Sequence, residues 1–193
     1  MSATAQQASG VAPDARGLPT TSLSIAIDAV IKRIGEAASW LWFILVLVIV
    51  VNVAFRYLLG RGYIAFEELQ WHLYGAAYML GLGYVIQTNG HVRIDVLAEH
   101  WEPKTRAWIE FIGILVFLLP FSLAILIDSI PFVLKSWELK EISPAPGGLS
   151  YRWAIKAFLA IGFLLITLAA VSRLSRVTAF LFGFPSPVTR RQA

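Results

Sequence analysis

No cysteine occurs among the 193 residues, so disulfides, thiolate metal sites and thiol nucleophiles are excluded. Charge is scarce as well. Asp, Glu, Lys and Arg make up 15% of the chain, where a soluble domain carries roughly a quarter. With 58% of residues hydrophobic, this deficit points to lipid as the solvent. Histidine occurs three times, spread over two environments without the spacing of a metal site. The sequence contains no glycine-rich phosphate loop, no nucleophile elbow and no line of charges through its apolar blocks. An enzyme is therefore not expected. The 16 basic residues exceed the 12 acidic ones, but they fall between apolar blocks and form no single stripe, which speaks for membrane topology and against nucleic acid.

Four uncharged blocks are present: Ala37 to Phe55, Leu69 to Gly90, Phe111 to Ile127 and Ala157 to Ser172. Helices of this length approach or exceed the roughly 30 Å of a hydrocarbon core. Trp40, Trp42 and Tyr57 flank the first block and Tyr151 and Trp153 precede the fourth, at the headgroup depth such side chains favour. The sequence thus predicts an all-α integral membrane protein with four transmembrane helices. Pro120 is expected to kink the third, and Asp128 is placed at its end, near the interface.

Two amphipathic segments are expected to lie on the membrane surface. In residues 22–36, Leu23, Ile27, Val30, Ile31 and Ile34 share a helical face opposite Asp28, Lys32 and Glu36. In residues 93–101, Ile94, Leu97, Ala98 and Trp101 oppose Asp95 and Glu99. For the first segment, a plain extension of the first span is the alternative. Residues 1–21, rich in Ser, Ala, Gln, Gly and Pro with no apolar core, are expected to form a disordered cytoplasmic tail, 22–182 the membrane domain and 183–193 a second tail. Ten Lys and Arg fall in the termini and middle loop against six in the other two loops, which favours cytoplasmic termini.

Among candidate polar residues, His72 lies one turn inside the second block. A bis-histidine haem would need a second His at membrane depth, and His91 and His100 fall in the loop, so no cofactor is expected and a polar packing contact is the simpler reading. Glu67 and Glu68 open the second helix, where its dipole favours carboxylates, or one of them pairs with Arg56 or Arg61 across the short connection. Asn52 and Arg56 share a face at the same level. Ala77 and Gly81 form a small-x-x-x-small pair, supported by Gly75 and Gly83, that suits close helix packing.

Together these elements resemble the small membrane subunit of tripartite ATP-independent periplasmic (TRAP) transporters. The resemblance rests on Phe55-Arg56-Tyr57, Glu67-Glu68-Leu69, the glycines around Gly81 to Gly83, Gly90-His91-Val92-Arg93-Ile94-Asp95 and Pro146-Gly147-Gly148-Leu149. It implies a bacterial inner-membrane scaffold for a large permease subunit, served by a periplasmic solute-binding protein in sodium-coupled symport of an organic acid. It also implies that Arg56, Glu67 and Glu68 lie near where a partner docks, and that His91, Arg93 and Asp95 shape a cytoplasmic turn. A membrane anchor of an electron-transfer complex and a small oligomeric carrier are the competing readings.

Overall fold

The computed structural model describes residues 17–88, 90 and 101–188, and these form helices with no strand among them. Helix α1, Ser22–Leu58, is 37 residues long, or about 55 Å. Thr21 caps it: its hydroxyl accepts from the Ser24 amide at 3.1 Å while the Ser24 hydroxyl accepts from the Thr21 amide at 3.0 Å, satisfying two backbone donors reciprocally. No break separates residues 22–36 from the first apolar block. The separate surface helix expected over 22–36 is therefore corrected to the alternative, a continuous extension. The physical reason is visible at Asp28, which sits not on a water-facing stripe but against the last helix, paired with Arg176.

The buried residues of α1, namely Ser24, Ile31, Ala38, Leu45 and Asn52, recur every seven positions. A strict seven-residue repeat keeps one seam of a helix facing its neighbour in a left-handed supercoil. That neighbour is chiefly α2, Ile64–Gln87 (24 residues), reached by a short turn through Gly60 and packed on both α1 and the last helix.

Helix α3, Pro103–Ile112, starts with proline at its first turn, where a missing N–H costs nothing. It runs through a π-helical segment, Gly113–Leu118, into α4, Leu119–Glu138. Pro120 lies just after that segment, and the Leu119 amide bonds back to the Ile114 carbonyl. What the structure records at Pro120 is thus a local change of hydrogen-bond register. The helix also continues well past Asp128, through Pro131, Phe132, Val133 and Leu134, so Asp128 does not stand at a helix end.

Helix α5, Trp153–Phe182, closes at Gly183 with φ of 73°, the left-handed cap that favours glycine. It is the centre of the assembly, touching α1, α2, α3, the π segment and α4, and it contributes more buried side chains than any other helix. Helices α2 and α5 approach through glycines. A Cβ on Gly83 would lie 2.9 Å from the Leu165 Cβ, and one on Gly162 would lie 2.9 Å from the Met79 Cβ. Gly81, expected to mark the close contact, has nothing within 4 Å; Ala76, Ala77 and Gly83 are the buried small residues of α2. On the other flank of α5, α4 presents Ser122, Ser129 and Ser136, again seven apart and buried. Each small hydroxyl lets the backbones close up.

Three helical stretches, Ser22–Leu58, Pro103–Glu138 and Trp153–Phe182, are long and apolar enough to cross a membrane. Helix α2 has the length, but Gln70, His72, Tyr74, Tyr78 and Tyr84 dilute its apolar content. The second surface helix, at 93–101, falls outside the described residues except for Trp101.

Candidate functional site

Polar side chains gather at the two ends of the helix assembly. At one end meet the C-termini of α1 and α4 and the N-termini of α2 and α5. The α1–α2 turn is stiffened by Phe55, Tyr63 and Phe66, whose ring centroids lie 5.6 to 6.2 Å apart. On its surface the Arg56 guanidinium donates to Glu67 Oε1 at 2.5 Å, with side chains 57% and 50% exposed. Exposure at that level leaves such a pair worth at most about 1 kcal/mol. Arg61 takes no part in it.

Glu68 is placed differently. It is buried, and its carboxylate accepts from the Leu149 amide at 2.6 Å and from the Ser143 hydroxyl. Both donors come from the loop between α4 and α5. Gly148 makes the approach feasible, because a Cβ there would fall 2.6 Å from Ser143 Oγ and 2.9 Å from Glu68 Oε2. Gly147 adds the left-handed φ of 77° that turns the loop. Glu68 thus fastens the Pro146-Gly147-Gly148-Leu149 loop to α2. His72 lies one turn further along, its Nδ1 2.5 Å from the Glu68 carbonyl oxygen, a polar contact within its own helix.

Beside this loop, Glu141 accepts from the Ser136 hydroxyl at 2.7 Å and from the Lys156 ammonium, and Arg152 stands 4.0 Å away. The Lys156 hydrogen bond, followed by that from Ser136, holds the Glu141 carboxyl below the ordinary glutamate range against the opposing effect of burial. Lys156 also covers the Phe132 ring at 4.2 Å. Trp137 and Trp153 meet edge to face at 4.6 Å, an aromatic pair suited to the headgroup boundary.

The opposite end joins α1, α2, α3 and α5. Asp28 is paired with Arg176, accepts from the Ser172 hydroxyl at 2.7 Å, and lends its backbone carbonyl to Gln87 Nε2 at 2.9 Å. Arg173 is bidentate on Glu110, with the longer contact at 3.3 Å. Thr21 and Ser175 share a hydrogen bond of 2.9 Å. Between the two ends the buried polar groups include the Asn52 amide on α1 and several hydroxyls: Thr167 bonds Ser122 at 3.1 Å and the Phe163 carbonyl at 2.8 Å, and Ser129 bonds the Leu126 carbonyl at 2.7 Å. The two bonds to carbonyls are the back-bonds by which Ser and Thr satisfy themselves in apolar helices, and the Thr167–Ser122 bond ties α5 to α4.

Of the residues singled out from sequence, the structure brings Arg56 and Glu67 together on the surface and turns Glu68 inward, away from any exposed docking surface. Asn52 is buried on the α1 seam and lies apart from the exposed Arg56 pair. Asp128 faces outward from α4. His91, Arg93 and Asp95 lie outside the described residues. Among the described residues no three carboxylate or imidazole side chains converge as a metal would require. Sequence reasoning missed the Asp28–Arg176 and Arg173–Glu110 pairs, whose partners are far apart in the chain; the one available signal was that both arginines follow the fourth apolar block directly.

A family model described as "Tripartite ATP-independent periplasmic transporters, DctQ component" matches residues 45–180. A Haemophilus influenzae protein named as a TRAP transporter small permease protein is 29% identical over 121 residues, covering 63% of this chain and 75% of the relative. No solved structure matches.

Proposed function

Because the chain belongs to the DctQ family, the small permease component of TRAP transporters, we propose that it is a fixed membrane scaffold against which a large permease subunit works. The transport is sodium-coupled and supplied by a periplasmic solute-binding protein, and the solute is an organic acid. All four long helices cross the inner membrane, with both termini cytoplasmic. The length of α2, 24 residues or about 36 Å, supports its crossing, as does its position packed on two more apolar helices.

One observation carries the scaffold reading. Helices α2 and α5 close up through small residues, and the least exposed ion pairs lie toward the two ends, joining α5 to α1, to α3 and to the α4–α5 loop. Ion pairs of this kind lock helices in one arrangement, and breaking one by removing a partner is costly. A subunit built this way holds still. Arg56 and Glu67, exposed on one rim, offer charges of both signs to the binding protein, and the exposure that makes their mutual pairing weak leaves them available to an incoming partner.

The test is uptake by proteoliposomes containing binding protein and large subunit, with and without this chain. Uptake is expected only when all three are present, and uptake by this chain alone would instead favour a small carrier. Substantial transport without the chain would defeat the scaffold reading.

A further inference from the structure

Gln87, the last residue of α2, reaches across to α1, where its Nε2 donates to the Asp28 backbone carbonyl at 2.9 Å. A carbonyl can only accept, so this contact fixes which end of the amide carries the nitrogen. The other end, Oε1, is buried and meets no hydrogen-bond donor among the described residues. Buried acceptors are rarely left so, because the water they give up must be replaced.

A small cavity adjoins Gln87. Asp28 of α1, Gln87 of α2 and Ala169, Ser172, Arg173 and Arg176 of α5 line it, and it offers the centre of a water molecule about 10 Å³. One ordered water needs roughly 10–15 Å³ on that measure, together with two to four polar partners. Size rules out an organic ligand, and charge decides among what remains. The two guanidinium groups repel a metal cation, while the Asp28 carboxylate repels an anion. A neutral molecule that both donates and accepts suits every wall.

The surrounding bonds show what such a molecule would complete. Gln87 ties α2 to α1, and Asp28 ties α1 to α5 through the Ser172 hydroxyl at 2.7 Å and through Arg176. From Gln87 to α5 there is no direct hydrogen bond among the described residues.

We propose that this cavity is a binding site for one ordered water molecule, which donates to Gln87 Oε1 and bonds α5 at Ser172 Oγ or at the Arg176 guanidinium. Ser172 gives its own hydrogen to Asp28, so its oxygen can accept from the water. The water closes the third side of the triangle and joins α1, α2 and α5 in one polar network. This site concerns how the chain holds its own helices together, and it stands independently of the scaffold reading.

The test is a crystal structure of the full chain, grown from a lipid phase at a resolution that orders buried water, once in sodium chloride and once in choline chloride. The expected result is a density peak about 2.7–3.2 Å from Gln87 Oε1, with a second contact to Ser172 or Arg176, in both salts. A peak present only in sodium assigns the cavity to a cation and overturns the proposal. An empty cavity, or Gln87 Oε1 bonded directly to a guanidinium, overturns it as well. In bilayers, water-edited NMR of nitrogen-15-labelled glutamine amides should show transfer from water to Gln87, and Ala169→Ser, which puts a hydroxyl at the cavity wall, should abolish it. No transfer in the unaltered chain, or transfer undiminished in a folded Ala169→Ser chain, would place the water elsewhere and refute the site.

Discussion

Replacing Gly83 with alanine should separate α2 from α5 and destabilise the chain, whereas the same change at Gly81 should not destabilise it. A Cβ at position 83 falls 2.9 Å from the Leu165 Cβ and 3.1 Å from its backbone carbonyl carbon, while carbon atoms settle at about 3.5–4.0 Å. The clash is with a Cβ fixed directly to the backbone and with the backbone itself, neither of which can swing away. The helices must therefore part by roughly 0.6–1 Å, and the strain of such overpacking is typically about 1–3 kcal/mol. The contact between Gly162 and Met79, in the same helix pair, would loosen with it. Alanine's better helix propensity recovers at most about 1 kcal/mol, so a net loss remains. At Gly81 nothing lies within 4 Å, so alanine meets no clash there and its helix propensity should stabilise the chain by at most about 1 kcal/mol. Reversible unfolding of the purified chain in mixed micelles, followed by helical circular dichroism, measures both variants. Equal effects at the two positions, or a larger one at Gly81, would refute the glycine-mediated contact.

Removing the acidic partner in Glu110→Gln should cost about 3 kcal/mol, because Arg173 is almost fully buried; a double-mutant cycle with Arg173→Met should show strong coupling, and additivity would remove the pair from the account. Glu141 has its folded-state carboxyl shifted below the ordinary glutamate value, so its contribution is present above that value and lost as pH falls through the lower folded one. Unfolding midpoints between pH 3 and 7 should accordingly fall at the acidic end, and Glu141→Gln should flatten part of that fall; an unchanged profile would contradict the assignment. Reporter fusions after Ala193 and within residues 143–150 should lie on opposite sides of the membrane, and agreement between them would overturn the four-span topology.

The helices were legible because apolar blocks of span length leave few alternatives, and Arg56 with Glu67 was legible because the connection between them is short. Glu68 was not, since its partners Ser143 and Leu149 arrive from a loop remote in sequence. Asp128 follows the uncharged block Phe111 to Ile127, so the helix looked shorter than it is; the apolar run Phe132-Val133-Leu134 carries it on. Residues 22–36 look amphipathic in isolation, and only the distant Arg176 and Ser172 explain why Asp28 turns inward. The seven-residue spacings of α1 and of the α4 serines were present in the sequence all along. What they lacked was a partner helix to give them meaning.

The most direct test of the scaffold claim is the sodium-to-solute coupling ratio in proteoliposomes holding all three components, with the unaltered chain compared against His72→Gln. His72 is the one ionisable side chain within the second apolar block, and here it bonds only its own helix backbone. The account predicts the same coupling ratio and the same solute affinity in both. A changed ratio in a fully assembled complex would put this chain inside the transport pathway and contradict the claim.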